Sequence, residues 1–268
     1  MNSAKDISLL SLLLCYALLL IPIIILILIK SNLLKKLAIS IFRMTFQLFI
    51  VGLFLQYIFD LESPYVTIGW LLIMILFSSF SVIGNSPLKL SHFFIPIALA
   101  ILIANAILLP FFNGLVIKLD NLLAPRYAIA IGGMLLGNSM RGNIVFLNSF
   151  FKDTRRNENR YRYMLSLGAS KFDALLPFFR NGFREAVSPM LATTATMGIV
   201  SLPGMMTGQI LGGSPPMVAI KYQIAIMLAI FTSMTLSSSL VIIFSVITSF
   251  DKYDVLKDNI FKKKKKSK

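Results

Sequence analysis

Three groups of side chains stand where a long apolar run would otherwise continue. Arg43 and Gln47 lie four residues apart within the run 37–59, on one helix face with Ser40 and Met44 nearby. Asn138, Ser139, Arg141 and Asn143 interrupt the run 126–147. Met205, Met206, Thr207 and Gln209 follow Pro203-Gly204 in the stretch Thr196–Pro216, which carries no charge yet is broken by Gly208, Gly212-Gly213 and Pro215-Pro216. What these groups offer is amides, hydroxyls, thioethers and fixed cations. Such groups can coordinate or hydrogen-bond something passing by, but they do not make a nucleophile with its base. Each also has a plainer reading. Arg43 either faces a bundle interior or snorkels to the interface. The broken stretch either lines a cavity or re-enters the membrane, or it packs as an outer loop.

Motifs for covalent chemistry are missing from the sequence. It has no phosphate loop of the Gly-x-x-x-x-Gly-Lys-[Ser/Thr] type, no His-Glu-x-x-His and no Gly-x-Ser-x-Gly elbow. One cysteine, Cys15, and one histidine, His92, exclude a disulfide framework within the chain and leave a Cys/His zinc site unsupported. The metal ligands, if there are any, stay unidentified. The reading is of a chain that is not an enzyme and binds no cofactor of its own.

The elements that must hold these groups are membrane spans. With 57% hydrophobic residues and a mean hydropathy of +0.81 over 268 residues, several runs reach the length needed to cross a bilayer core. The predicted fold is all-α, a polytopic helix bundle of about seven spans near 7–29, 37–59, 66–83, 93–117, 126–147, 185–205 and 219–249. A net charge of +15 raises the question of nucleic acid, but the Lys and Arg cluster between apolar runs, which is topology rather than phosphate binding. With the N-terminus outside and the C-terminus inside, 20 of the 26 Lys and Arg fall in inner segments and four in outer ones. That asymmetry sets the orientation. Residues 1–251 read as one membrane domain. Residues 252–268 read as a basic cytoplasmic tail, its Lys262–Lys266 block unstructured and close to anionic headgroups.

The longest inner segment, about 150–184, has its own pattern. Tyr161, Met164, Leu165, Gly168, Phe172, Leu175 and Leu176 recur at helical spacing, interrupted at Gly168-Ala-Ser170 and closed by Pro177. An amphipathic helix of this kind lies on the membrane or seats in a groove on a soluble partner, and the spacing does not choose between them.

Three strings carry a resemblance. Gly133-Met-Leu-Leu-Gly-Asn-Ser139, Leu165-Ser-Leu-Gly-Ala-Ser170 and above all Gly198-Ile-Val-Ser-Leu-Pro-Gly-Met-Met-Thr-Gly-Gln-Ile-Leu-Gly-Gly213 closely resemble the FetB/YbbM family. Its members are permease subunits of iron-export ABC transporters, related to plant aluminium-sensitivity transporters. Arg43-x-x-x-Gln47-Leu48, Gly52 and Lys221-Tyr-Gln-Ile224 are similar too, so the resemblance runs from about residue 40 to 250. It implies a homodimer in the plasma (bacterial inner) membrane, surrounded by lipid, with ATP and Mg bound by a separate ATPase subunit. On that basis Leu165, Gly168, Ala169, Ser170 and Phe172 would couple to the ATPase, and Arg43, Gln47, Asn138, Ser139, Met205, Met206, Thr207 and Gln209 are the candidate pathway residues. One departure stands out. Many ABC importers carry Glu-Ala-Ala-x-x-x-Gly in the coupling helix, whereas here Arg162 stands six residues before Gly168 and the nearest acid is Glu158.

The expected function is therefore export of iron or another metal ion. An ABC permease for a non-metal cargo is the near alternative, and an ATP-independent channel or secondary carrier the more distant one. A membrane enzyme acting on lipid or sugar phosphate through Arg43 and Arg141 would need a general base, and none is evident.

Overall fold

The computed structural model describes residues 6–262, and every regular element among them is helical. The N-terminal rod is α1 (Leu9–Ala17) and α2 (Leu20–Leu28), broken at Leu18-Leu19 because Pro22 has no N–H for the Leu18 carbonyl four residues back. It leans on α3 (Leu34–Leu61), where Tyr16 Oη meets Thr45 Oγ1 at 2.6 Å. Ile58 is the single buried residue of α3. Phe54 stacks on Trp70 at 5.7 Å, and the Arg126 guanidinium lies 5.9 Å from the Phe59 ring, so α3 meets the rest of the molecule mainly near its C-terminal end. Rows of exposed Leu, Ile and Phe along α1–α3 suit hydrocarbon rather than water.

The core is an up-and-down bundle of α4 (Pro64–Gly84), α5 (Leu90–Phe111), α6 (Pro125–Arg156), α8 (Lys171–Thr196) and α10 (Pro216–Ser249), in which α4, α6 and α10 run one way and α5 and α8 the other. α5 runs on into a π-turn at Phe112–Val116. Two short helices cap opposite ends, α7 (Glu158–Ser166) at one and α9 (Gly204–Leu211) at the other. α6 and α10 lie side by side at the centre. A Cβ at Gly142 would stand 2.5 Å from Met234 Cγ, so the two helices approach this closely only because glycine is there. The spaced pair Gly133 and Gly137 matters less: a Cβ would meet Met74 at 3.2 Å at the first and nothing at the second.

Among the described residues, five helical stretches are long and apolar enough to cross a membrane: Leu9–Leu28, Leu34–Leu61, Pro64–Gly84, Leu90–Val116 and Pro216–Ser249. The spans predicted near 126–147 and 185–205 fall on α6 and α8, whose composition is more polar than those five. The second of these is also displaced. Its helix starts at Lys171 and stops at Thr196, and residues 197–203 are irregular, with Gly198 at φ +89. Pro177 does not close the amphipathic run. It sits inside α8, where the buried neighbours Ala174, Leu175 and Phe178 hold the helix through the missing hydrogen bond.

The described part of the tail is folded. After α10 the chain turns at Asp251, whose carboxylate accepts from the Tyr253 and Val255 amides and is held below its ordinary range chiefly by the Val255 bond. Residues 250–262 then return across the basic end as a strap. Phe250, Leu256, Ile260 and Phe261 are buried among Phe93, Phe151 and Tyr161. Backbone bonds Lys89 N–H to Ile260 O (2.8 Å) and Lys262 N–H to Pro87 O (2.8 Å) fix the register. Lys262 Nζ donates to the carbonyls of Ile83 and Gly84 at the end of α4 and of Ser86 just beyond it, and burial pushes its pKa down. The Lys263–Lys266 block lies outside the described residues.

Candidate functional site

The α6–α10 seam carries a polar ladder. Ser139 Oγ meets Ser233 Oγ at 3.0 Å, Asn143 Nδ2 donates to Ser237 Oγ at 2.9 Å, and Ser238 Oγ donates to Asn143 Oδ1 at 2.9 Å. All five side chains are fully buried. In a membrane no hydrophobic force pulls helices together, so close packing and such bonds hold this seam.

At one end of the seam is a cavity of about 500 Å³. α6 contributes Arg126, Tyr127 and Met134; α9 contributes Met205 and Gln209; Ser214 and Tyr222 complete it. Pro125 at the first turn of α6 and Pro216 at the first turn of α10 start both helices here, which brings Arg126 and Tyr222 to the same rim. Gln209 Oε1 is buried with no hydrogen-bond partner among the described residues. The lining therefore offers a free amide oxygen, phenol and serine hydroxyls, two thioethers and one guanidinium. Among the described residues no three His, Cys, Asp or Glu side chains come together.

At the other end, α7 and α8 form a hairpin with a defined turn. Ala169 N–H donates to Met164 O (3.1 Å) and Gly168 N–H to Leu165 O (3.0 Å), with Gly168 at φ +87, the left-handed close of a helix that only glycine adopts without strain. Ser170 then caps α8 by accepting from the Asp173 amide at 3.2 Å. The base of the hairpin is anchored. Tyr161 is fully buried, its hydroxyl donates to Asp254 O at 2.8 Å, and desolvation, helped by the Asp254 and Asp251 charges, pushes its pKa to about 12. Lys171 pairs with Asp254 at 2.8 Å. The tip, by contrast, is apolar and open, with Tyr163, Leu167 and Phe172 64–71% exposed.

The residues expected to act together are thus distributed. Met205 and Gln209 share the cavity; Met206 is buried beside them, and Thr207 returns its hydroxyl to Pro203 O. Asn138 bonds Met134 O in its own helix, and Ser139 belongs to the ladder. Arg43 and Gln47 lie on the exposed surface of α3. In the hairpin, Leu165 turns inward with Leu175, Gly168, Ala169 and Ser170 build the turn, and Phe172 faces out. Glu158, the acid nearest Arg162 in the sequence, is paired with it at 2.6 Å within α7. Sequence reasoning missed Arg126, Tyr127, Met134, Ser214 and Tyr222, which come from separate segments and share no spacing. It also missed the serines of α10, although Ser233, Ser237 and Ser238 in an apolar span were visible as a signal.

A family model described as "Uncharacterised protein family (UPF0014)" matches residues 9–250. The UPF0014 membrane protein YjkA of Bacillus subtilis (strain 168) is 30% identical over 220 residues, covering 82% of this chain and 85% of the relative. The probable iron export permease protein FetB of Escherichia coli (strain K12) is 32% identical over 212 residues, 78% of this chain and 79% of the relative. The protein ALUMINUM SENSITIVE 3 of Arabidopsis thaliana is 33% identical over 206 residues, 74% of this chain and 71% of the relative. No solved structure matches the chain. A family match over nearly the whole helical bundle, on a chain with five helices apolar enough to cross a bilayer, makes this protein a multi-pass membrane protein of the UPF0014 family.

Proposed function

We propose that the chain is the membrane subunit of an ABC-type exporter, working as a pair of copies with a separate ATPase and moving iron or another metal ion outward. The observation that carries this reading is the α7–α8 hairpin. Its base is locked into the bundle by Tyr161, Ala174, Leu175 and Phe178, while its tip presents Tyr163, Leu167 and Phe172 to solvent. A stiff lever with an apolar end is what a soluble motor needs in order to move a bundle. The name of the Escherichia coli relative supports the cargo and the direction.

In this reading the basic end is cytoplasmic, and α6 and α8 cross the membrane inside the bundle, giving seven crossings with the N-terminus outside. Lys and Arg crowd the segments 30–36, 152–171 and 252–262, with Lys89 in the remaining inner turn, whereas among the described residues Lys118, Arg126 and Lys221 are the cations near the other end. The cavity around Gln209 is then the outward mouth. Its neutral oxygens would take a metal ion as a partly hydrated or chelated species, because no carboxylate is there to strip it.

The test is reconstitution. The tagged chain is purified with the ATPase that accompanies it, and the pair is placed in vesicles loaded with ferrous, ferric or other metal ions. ATP-dependent metal movement is the expected outcome. Movement that proceeds at the same rate without ATP would instead identify a channel or secondary carrier.

A further inference from the structure

A second cavity, of about 1170 Å³, opens at the basic end, away from the ladder, the outer cavity and the hairpin tip. One side is the last turns of α6, another is the returning strap, and Glu185 of α8 stands on a third. Four cationic side chains reach it. Two are already engaged: the Arg155 guanidinium lies 4.6 Å from the Phe261 ring centre, and Lys262 Nζ caps the end of α4. The other two, Lys152 and Arg156, are exposed and within ion-pairing distance of no carboxylate among the described residues. Glu185 and Asp258 also line the cavity, so the cationic excess there is partly offset.

The second observation is Ser149. It lines the same cavity, is 7% exposed, and its Oγ has no hydrogen-bond partner among the described residues. Several buried hydroxyls in these helices return to the carbonyl four residues back, as those of Ser79, Thr154 and Ser249 do; Ser78, Ser149 and Ser245 have no partner, and of these three Ser149 is the one that lines the cavity. That leaves a buried donor beside two unpaired cations. A buried hydroxyl without a partner is costly unless something in the cavity accepts from it.

We propose that this cavity binds a phosphate group, with Lys152 and Arg156 as its counter-charges and the Ser149 hydroxyl as a neutral donor. A guanidinium, an ammonium and a hydroxyl approaching from different residues suit a tetrahedral oxyanion with several acceptor oxygens better than a planar carboxylate. Ile144 and Val145 extend the same wall as an apolar shelf along α6, so a phospholipid headgroup and a soluble phosphate are two sources of the same chemistry. Because Asp258, Phe261 and Lys262 form the facing wall, an occupant ties the strap to α6. The inference depends on neither the cargo nor the ATPase.

The experiment uses the full chain purified in a neutral detergent. The thermal unfolding midpoint is followed while short-chain phosphatidylglycerol, the corresponding diacylglycerol without phosphate, or inorganic pyrophosphate is added. A phosphate-bearing probe should raise the midpoint and diacylglycerol should not; a rise with pyrophosphate identifies a soluble phosphate as sufficient, and a rise confined to phosphatidylglycerol identifies lipid. Lys152→Gln with Arg156→Gln should weaken binding about tenfold or more, as loss of charge-assisted bonds does. Ser149→Ala should weaken it by less. Glu185→Gln should tighten it, a sign that a merely structural disturbance would not produce. Equal shifts with diacylglycerol, no shift with either phosphate, or unchanged binding in the Lys152/Arg156 variant each overturn the proposal.

Discussion

At the residue scale the decisive side chain is Gln209. Its Oε1 is buried and unpartnered, so Gln209→Leu should not cost stability and should even relieve a desolvation penalty of about 1–3 kcal/mol. Transport should nevertheless fall, because the one free amide oxygen facing the outer cavity is gone. Met205→Leu with Met206→Leu is close to volume-conserving and should cost less than about 1.5 kcal/mol, leaving transport largely intact. Unfolding midpoints and ATP-driven metal movement in vesicles, measured on both variants, separate the two effects. Unchanged transport in the Gln209 variant would take this cavity off the pathway. How much of this was legible follows from distance along the chain. Met205 and Gln209 could be singled out because a polar and sulfur-rich string with helix breakers is a local pattern. Arg126, Tyr127 and Tyr222 could not, because their meeting depends on where two proline-started helices begin in space.

At the scale of elements, the α7–α8 hairpin is the testable part. Helical spacing in the sequence located an amphipathic segment and its break at Gly168, but it did not say which face is inward. Tyr161, Leu165 and Leu175 turn into the bundle because the strap supplies Phe250 and the Asp254 carbonyl to meet them, and that is a long-range fact. Pro177 misled for a related reason: a proline ends an isolated helix, while tertiary packing carries α8 through it. Leu167→Asp with Phe172→Asp should leave the fold intact, since both side chains are about 70% exposed, and should abolish stimulation of the proposed partner ATPase. ATPase rates with and without the variant permease measure it, and full stimulation would remove the tip from the interface. Substitution at Gly168 is the poorer probe, because any side chain at φ +87 strains the turn by about 1–2 kcal/mol whether or not a partner touches it.

At the scale of the whole molecule, hydropathy in the sequence marks about seven spans, five of which coincide with the helices that are long and apolar enough to cross a membrane among the described residues, and charge segregation points to an orientation. α6 and α8 are the least apolar of the long helices; in α6 the polar side chains Ser139 and Asn143 are buried and paired with α10, so composition understates how well that helix fits the bundle. Ser3→Cys and Ser267→Cys in a Cys15→Ser background test the proposed orientation; both positions lie outside the described residues. A membrane-impermeant thiol reagent applied to intact cells should label the first and spare the second. The opposite pattern would invert the topology.

The returning strap has a consequence for how the protein is made. Helices α4 to α8 leave the ribosome with a socket around Phe93, Phe151 and Tyr161 still empty, and the side chains that fill it, Leu256, Ile260 and Phe261, are translated after α10. Chains condense progressively during synthesis, but this one cannot complete its basic end until the residues after α10 have been made. A chain that stops before Leu256 would therefore yield a bundle whose basic end gapes, with aromatic surface exposed for proteases and chaperones to recognise.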